Sequence, residues 1–290
     1  MLAPVVAGVD GSAEGLAAAE WAAHEAVRRG RSLRLLHARN RHPRRGEAEA
    51  AQAAGRRLAR RVLRAAEERV LAVCPGVRVY DEQVEGPATA ALVRAVGGAE
   101  PLVLGSRGHS RVTGLLMGSV ALEVVAKAAG PVVLVRAGTA GEEAAGAGRR
   151  DVLLGVDVTE PCDEVIEFAF EAARLRHARV RALHAWRAPD PLIPGPGEVG
   201  PVSDPERAEE WLRFLSAVLR VWRDKYPDVE VLETVVAGKP ASALVKAASG
   251  ADLLVVGHRL TDRPRVPRTG PVTHTVIQRA GCPVAVVPHY

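Results

Sequence analysis

The clearest chemical signal in the chain lies in residues 105–119. Gly105, Gly108, Gly118 and Ser119 are spaced Gly-x2-Gly-x9-Gly-Ser, between the apolar run Leu102, Val103, Leu104 and a segment from Val120 to Ala126 built of helix-compatible residues. Glycines let the backbone approach an anion closely, and a helix that opens beside them offers unpaired N–H groups. A phosphate is the ligand that such a loop suits. Ser106 adds a hydroxyl, Arg107 and Arg111 add positive charge, and His109 adds a ring nitrogen that could touch a phosphate. Two other phosphate motifs do not occur. There is no Gly-x4-Gly-Lys-Ser/Thr, and the glycines around the first apolar run (Gly8, Gly11, Gly15) lack the Gly-x-Gly-x2-Gly spacing of dinucleotide enzymes.

Covalent catalysis finds no support. His37 and His184 each close an apolar run, with no Ser, Cys or carboxylate partner recognisable in the sequence, and read as rings held by backbone hydrogen bonds. Cys74, Cys162 and Cys282 are too few and too scattered for a disulfide framework or a zinc site. Cys162 falls near an expected helix start, where a thiolate would be favoured, but a passive small residue is the simpler reading.

The elements that must position the loop follow from the alternation of apolar runs and helical stretches. Val5 to Val9 reads as a strand ending at Asp10, Gly11 and Ser12. Ser12 caps a helix over 13–29, which Gly30 stops. Strands are expected at 33–37, 77–84, 101–104 and 132–136, with helices at 47–73, from Pro87 onward, and after Ser119. Gly55 is a candidate break in the second helix. Apolar strands alternating with helices describe a parallel sheet covered on both faces.

Residues 137–150 are rich in Gly, Ala and Glu and read as a linker. The pattern then restarts. Asp157 stands 147 positions after Asp10 at the end of a similar run, and His184 stands 147 after His37. Farther on, Leu253 to Gly257 repeats Pro101 to Gly105, and Pro283 to Val287 repeats Pro131 to Val135. The chain is a tandem duplication of two domains, 1–138 and 150–290. The added length of the second half sits mainly in the Pro/Gly-rich stretch 189–205, which reads as a surface insertion.

Composition bounds the partners. The chain has 290 residues, 48% hydrophobic and 25% charged, with a net charge of +5. No apolar run nears the ~20 residues that span a bilayer, so no membrane partner is expected and the cytoplasm is the expected compartment. The arginines of 39–64 alternate with Ala and Leu and lack interleaved aromatic residues. A solvated helix face explains them, and nucleic acid is not an expected partner.

Together, Val9, Asp10, Gly11 and Ser12 after the first strand, Leu36, His37 and Ala38 ending the second, and the Gly-x2-Gly-x9-Gly-Ser loop after the fourth resemble the universal stress protein family. The resemblance covers both halves. It implies two Rossmann-like α/β domains, each a five-stranded parallel sheet in the order 3-2-1-4-5 with helices on both faces. It also implies an ATP-binding, stress-response regulatory role. In that order the sheet reverses between strands 1 and 4, and ligands bind at such switch points. The nucleotide-binding set implied is Gly8, Val9, Asp10, Gly11, Ser12, Ala38, Gly105, Ser106, Arg107, Gly108, His109, Gly118, Ser119 and Val120. Asp10 would meet the ribose or an ATP-bound Mg²⁺, and the Ala38 backbone would read the adenine edge. Fifth strands at the sheet edges, 132–135 and 284–287, would pair antiparallel within the chain; further homodimerisation stays open. A weak ATPase or adenylate-handling enzyme of the adenine nucleotide alpha hydrolase-like group is the alternative.

The second half departs from the loop motif. Gly257 and Gly270 remain, but Leu260 replaces the second glycine and Pro271 the final Ser. The first half is therefore expected to hold the nucleotide, and the second to bind it weakly or not at all.

Overall fold

The computed structural model describes residues 2–39, 49–106, 118–138, 151–186, 204–260 and 269–290. Arg107, Gly108, His109 and Arg111, most of the linker, most of the insertion and the second-half loop 261–268 lie outside them.

The first half runs β1 (Val5–Gly8), α1 (Ala13–Arg28), β2 (Leu33–Arg39), α2 (Glu49–Val73), β3 (Val79–Glu85), α3 (Ala88–Val96), β4 (Leu102–Gly105), α4 (Ser119–Lys127) and β5 (Val132–Val135). The second half repeats the pattern as β6 (Asp151–Gly155), α5 (Asp163–Arg176), β7 (Arg179–Trp186), α6 (Asp204–Lys225), β8 (Val231–Ala237), α7 (Pro240–Ala247), β9 (Leu253–Arg259), α8 (Pro271–Arg279) and β10 (Val284–His289). Ser12 caps α1 by accepting the Gly15 N–H at 3.0 Å, and Gly30 takes a positive φ of 61° just past its end. Gly55 does not interrupt α2. It leaves room for the Arg39 guanidinium, whose Nη1 would lie 2.9 Å from a Cβ at that position.

Each half has the strand order 3-2-1-4-5. The two five-stranded sheets join through β5 and β10 into one ten-stranded sheet, β3-β2-β1-β4-β5-β10-β9-β6-β7-β8. Its central pair, β5 and β10, is antiparallel, with Val133 opposite Ala285. All four residues of β5 are buried. An apolar strand with an open edge would be a liability, and the second half covers it. The seam continues through both helical layers. α1, α2, α5 and α6 pack on one face of the sheet, and α3, α4, α7 and α8 on the other.

On the first of those faces α1 and α5 meet through buried charge. The Glu25 carboxylate, 1% exposed, accepts from Arg29 Nε of its own helix at 2.6 Å and from Arg176 Nη2 of α5 at 2.5 Å. Arg29 reaches back to Glu171 of α5 at 3.5 Å. Arg29 also lies over the Phe168 ring and Arg176 over the Trp21 ring, at 5.6 and 5.4 Å. Arg29 and Arg176, like Trp21 and Phe168, are 147 positions apart, so duplicated residues face one another across the seam. On the opposite face Arg136 Nη2, just past β5, donates to the Ile277 and Gln278 carbonyls in the last turn of α8, where a cation is favoured.

Candidate functional site

In the first half a cleft of ≈ 280 Å³ opens at the carboxyl ends of β1 and β4, where the strand order reverses. Gly8, Val9, Asp10, Ala38, Gly105, Gly118, Ser119 and Val120 of the expected set line it together. Beside Leu36 of the Leu-His-Ala element, Leu92, Leu104 and Ala121 supply apolar wall absent from the expected set. Nothing in the sequence distinguishes these from ordinary core residues at strand ends and first helical turns.

Gly11 and Ser12 do not line the cleft. They shape the turn that holds Asp10. Gly11 takes a positive φ of 86°, and Ser12 donates its N–H at 2.9 Å, and its hydroxyl, to Asp10 Oδ1. Ser106 is buried behind Gly105. Its N–H donates to the Val135 carbonyl at 2.7 Å, and its Oγ is buried without a partner.

The α4 N-terminus forms the facing wall. Gly118 is the N-cap, and its N–H is engaged by the Ser106 carbonyl at 3.0 Å. The first helical bond runs from the Leu122 N–H to the Gly118 carbonyl. The N–H groups of Ser119, Val120 and Ala121 therefore precede the first helical donor and face outward, at the positive end of the helix dipole. These three residues line the same cleft as Asp10.

Gly105 has a different reason for being glycine from the one its motif suggests. A Cβ there would sit 2.7 Å from the Glu14 carbonyl carbon, so the position is fixed by the close approach of α1 to β4.

The second half has a larger cleft, ≈ 420 Å³, at the matching ends of β6 and β9. Its end beside α8 is built differently. β9 and β10 stay paired past the point where β4 gives way to loop, with Pro288 opposite His258 and His289 opposite Arg259. The Leu260 N–H donates to the His289 carbonyl at 2.7 Å. Pro271 opens α8 at N1 or N2 with no N–H to offer. The helix after β6 also starts later. Its N-cap is Cys162, five positions past Asp157, whereas the N-cap of α1 is two past Asp10. The His289 ring fills part of the resulting space, 3.1 Å from where a Cβ on Gly257 would lie.

Cys162 itself carries no stabilised thiolate. Burial and donation of its S–H to Glu164 Oε2 at 3.0 Å push its pKa up to about 11. His37 and His184 are held as expected, Nδ1 against the Val9 carbonyl at 2.7 Å and against the Val156 carbonyl at 3.0 Å. Among the described residues no group of three or more His, Cys, Asp or Glu could hold a metal, and no helix is long and apolar enough to cross a membrane.

A family profile, "Universal stress protein family", matches residues 1–136 and again 148–288. A universal stress protein of Mycolicibacterium smegmatis is 31% identical over 297 residues, covering 98% of this chain and 96% of that protein. The crystal structure of a universal stress protein from Archaeoglobus fulgidus superposes with a TM-score of 0.73 at 18% identity, covering 98% of each chain. A structure of a universal stress protein in complex with cAMP, 27% identical, covers 47% of this chain and 97% of its own, with a TM-score of 0.38. Two domain matches in tandem and a relative matched over nearly its whole length agree with the duplicated architecture. The chain belongs to the universal stress protein family.

Proposed function

We propose that the first-half cleft binds an adenine nucleotide, ATP carried with Mg²⁺, and that its occupancy sets the state of a cytoplasmic stress-response regulatory protein. The observation that supports this most directly is the facing pair of walls. Ser119, Val120 and Ala121, whose N–H groups precede the first helical donor, line the same ≈ 280 Å³ cleft as Asp10, at the sheet's switch point. Phosphates suit the donors and the helix dipole. A carboxylate beside phosphates is unfavourable unless a ribose hydroxyl or a cation intervenes, which gives Asp10 its role.

Gly8, Val9 and Ala38, with the leucine wall, would take the base and sugar. Gly11 and Ser12 would hold Asp10 in place. Ser119 and Val120 would meet the phosphates, with Gly105, Ser106, Arg107, Gly108, His109 and Gly118 as the loop that closes over them. Mg²⁺ would arrive with the nucleotide, because the described residues offer Asp10 but no cluster to hold it alone. We also read the β5–β10 seam as the standing domain interface of the molecule in solution.

Ser119→Pro tests this reading. Gly118 sits at φ −70° and ψ 137°, as a residue before proline must, and position N1 tolerates proline. The variant therefore folds while losing one phosphate donor, as the second half has at Pro271. Calorimetry should give one ATP per wild-type chain and at least about tenfold weaker binding in Ser119→Pro, the worth of one charge-assisted hydrogen bond. Unchanged affinity, or two equal sites, would rule the reading out.

A further inference from the structure

The outer side of α2 carries a concentration of one charge. Arg56, Arg57, Arg60, Arg61 and Arg64 are all exposed, and among the described residues none of them has an ion-pair partner. We propose that this face of α2 is a docking surface for an acidic helix of a partner protein.

In the sequence these arginines read as a solvated helix face, but the duplication supplies a control inside the same chain. α6 is the counterpart of α2 at an offset of 152. Buried Leu63 and Val70 answer to buried Leu215 and Trp222, and β3 begins at Val79 as β8 begins at Val231. At that offset the five arginines become Ala208, Glu209, Leu212, Arg213 and Ser216, whose charges cancel. Covering this side of the sheet and facing water therefore do not call for five like charges. The arginines also work against their own helix. Arg56 and Arg60, Arg57 and Arg61, and Arg60 and Arg64 are pairs four positions apart, where like charges repel. An anionic partner turns that cost into attraction and makes a shared reason for all five.

The form of the patch selects the partner. Arg57, Arg61 and Arg64 follow one another a helical turn apart, and carboxylates on a second helix recur at the same interval. The planar guanidinium fork suits a carboxylate in two-point contact. Leu58, 55% exposed, stands three positions before Arg61 and offers an apolar contact beside the charges. α2 contains no aromatic side chain on which bases would stack, which disfavours single-stranded nucleic acid. The patch is also short. Glu67 and Glu68 follow on the next turn, and exposed Asp81 lies on β3, the strand beside α2. An extended anionic plane such as a membrane would meet these carboxylates together with the arginines, whereas a narrow helix need not.

The probe is a synthetic helical peptide of alanine and glutamate, with a carboxylate at every third or fourth position; its glutamine counterpart is the uncharged control. Fluorescence anisotropy with the full chain should show binding of the acidic peptide, weakening as salt is raised, and none of the glutamine peptide. Arg57→Gln, Arg60→Gln and Arg64→Gln together should weaken that binding at least about tenfold, the worth of one charge-assisted hydrogen bond. Arg94→Gln, Arg174→Gln and Arg220→Gln together remove the same charge from exposed positions elsewhere and should leave the affinity unchanged. The α2 triple variant should melt no lower than wild type, because it relieves like-charge pairs. Absence of binding at millimolar peptide, or equal losses in the two triple variants, would overturn the proposal. A lowered melting temperature in the α2 variant would also overturn it, by making the arginines part of the fold. So would tighter binding of anionic phospholipid vesicles or duplex DNA that is lost in the α2 variant, since the face would then belong to another class of partner.

Discussion

Replacing Glu25 by Gln should unsettle the molecule more than any surface change, because three guanidinium groups depend on its charge. The carboxylate lies 2.6 Å from Arg29, 2.5 Å from Arg176 and 3.7 Å from Arg28, and its own side chain is 1% exposed. Arg29 and Arg176 are 4% and 2% exposed, so water does little to compensate a lost partner. Gln keeps the shape and one acceptor but removes the charge. Arg29 then retains Glu171 at 3.5 Å, and Arg176 retains the Ala172 carbonyl at 3.2 Å. Breaking a buried pair from one side costs about 3–5 kcal/mol. That is a large share of the ~5–15 kcal/mol that holds a folded chain together. The double change Glu25→Leu with Arg176→Leu should cost less than the sum of the singles, by about 1–3 kcal/mol of coupling.

Urea unfolding followed by tryptophan fluorescence reads this directly, because Trp21 lies beneath Arg176. The acid dependence adds a second check. Burial alone would raise the Glu25 pKa, but Arg176 and Arg29 outweigh it and hold the folded value below 4.5. A depressed carboxylate pKa gives stability that is present above the unfolded value and is lost as pH falls through the folded one. The gap between wild type and Glu25→Gln should therefore be full at neutral pH and shrink in acid below pH 4.5. A neutral-pH gap under about 1 kcal/mol, the range of exposed pairs, would refute the reasoning. So would a gap that widens in acid.

Three further outcomes are expected. Gly105→Val should lower stability by about 1–3 kcal/mol with or without nucleotide, since its Cβ meets the Glu14 backbone; an unchanged melting temperature would return Gly105 to a purely ligand-facing role. Cys162, with its thiol near 11, should be alkylated at pH 8 about a hundredfold more slowly than an ordinary cysteine. Glu164→Gln should speed the reaction, because that carboxylate raises the thiol pKa, and peptide mapping of the modified site checks both claims. Residues 1–138 expressed alone should dimerise, because the buried strand β5 is left with an open edge; a monomer in sedimentation would count against the seam as the interface.

Much of the fold was readable because its determinants are local or repeated. Strand runs ending at Asp10 and Gly105, the Ser12 cap and the Gly30 stop each rest on a few neighbouring residues. The offset of 147 then doubled the pattern. What was not readable depends on distance. Glu25 and Arg29 look like an ordinary i,i+4 pair, and only the packing of α1 on α5 brings Arg176 to the same carboxylate. One signal was present: Arg29 and Arg176, and Trp21 and Phe168, share the offset that relates Asp10 to Asp157. Gly105 reads in the sequence as a ligand-facing glycine, because the spacing of a motif does not say whether a ligand or a helix comes close. The loss of loop geometry in the second half was half visible, through Leu260 and Pro271. The extension of β9 along β10 was not, since pairing across strands leaves no local mark.

The two halves have diverged where the physics lets them. Seam residues answer to one another: a change at Glu25 or Arg176 strands buried charge on the opposite helix, and Arg29 and Arg176, like Trp21 and Phe168, stand in matching positions of the two halves. The clefts open at the carboxyl ends of separate strands, on either side of β5, β10 and the seam between them, and share no lining residue among the described residues. A late helix start at Cys162, a proline at 271 and a longer β9 could each be accommodated there without disturbing the partner cleft. Duplication with a tied seam and untied clefts lets each cleft change without the other.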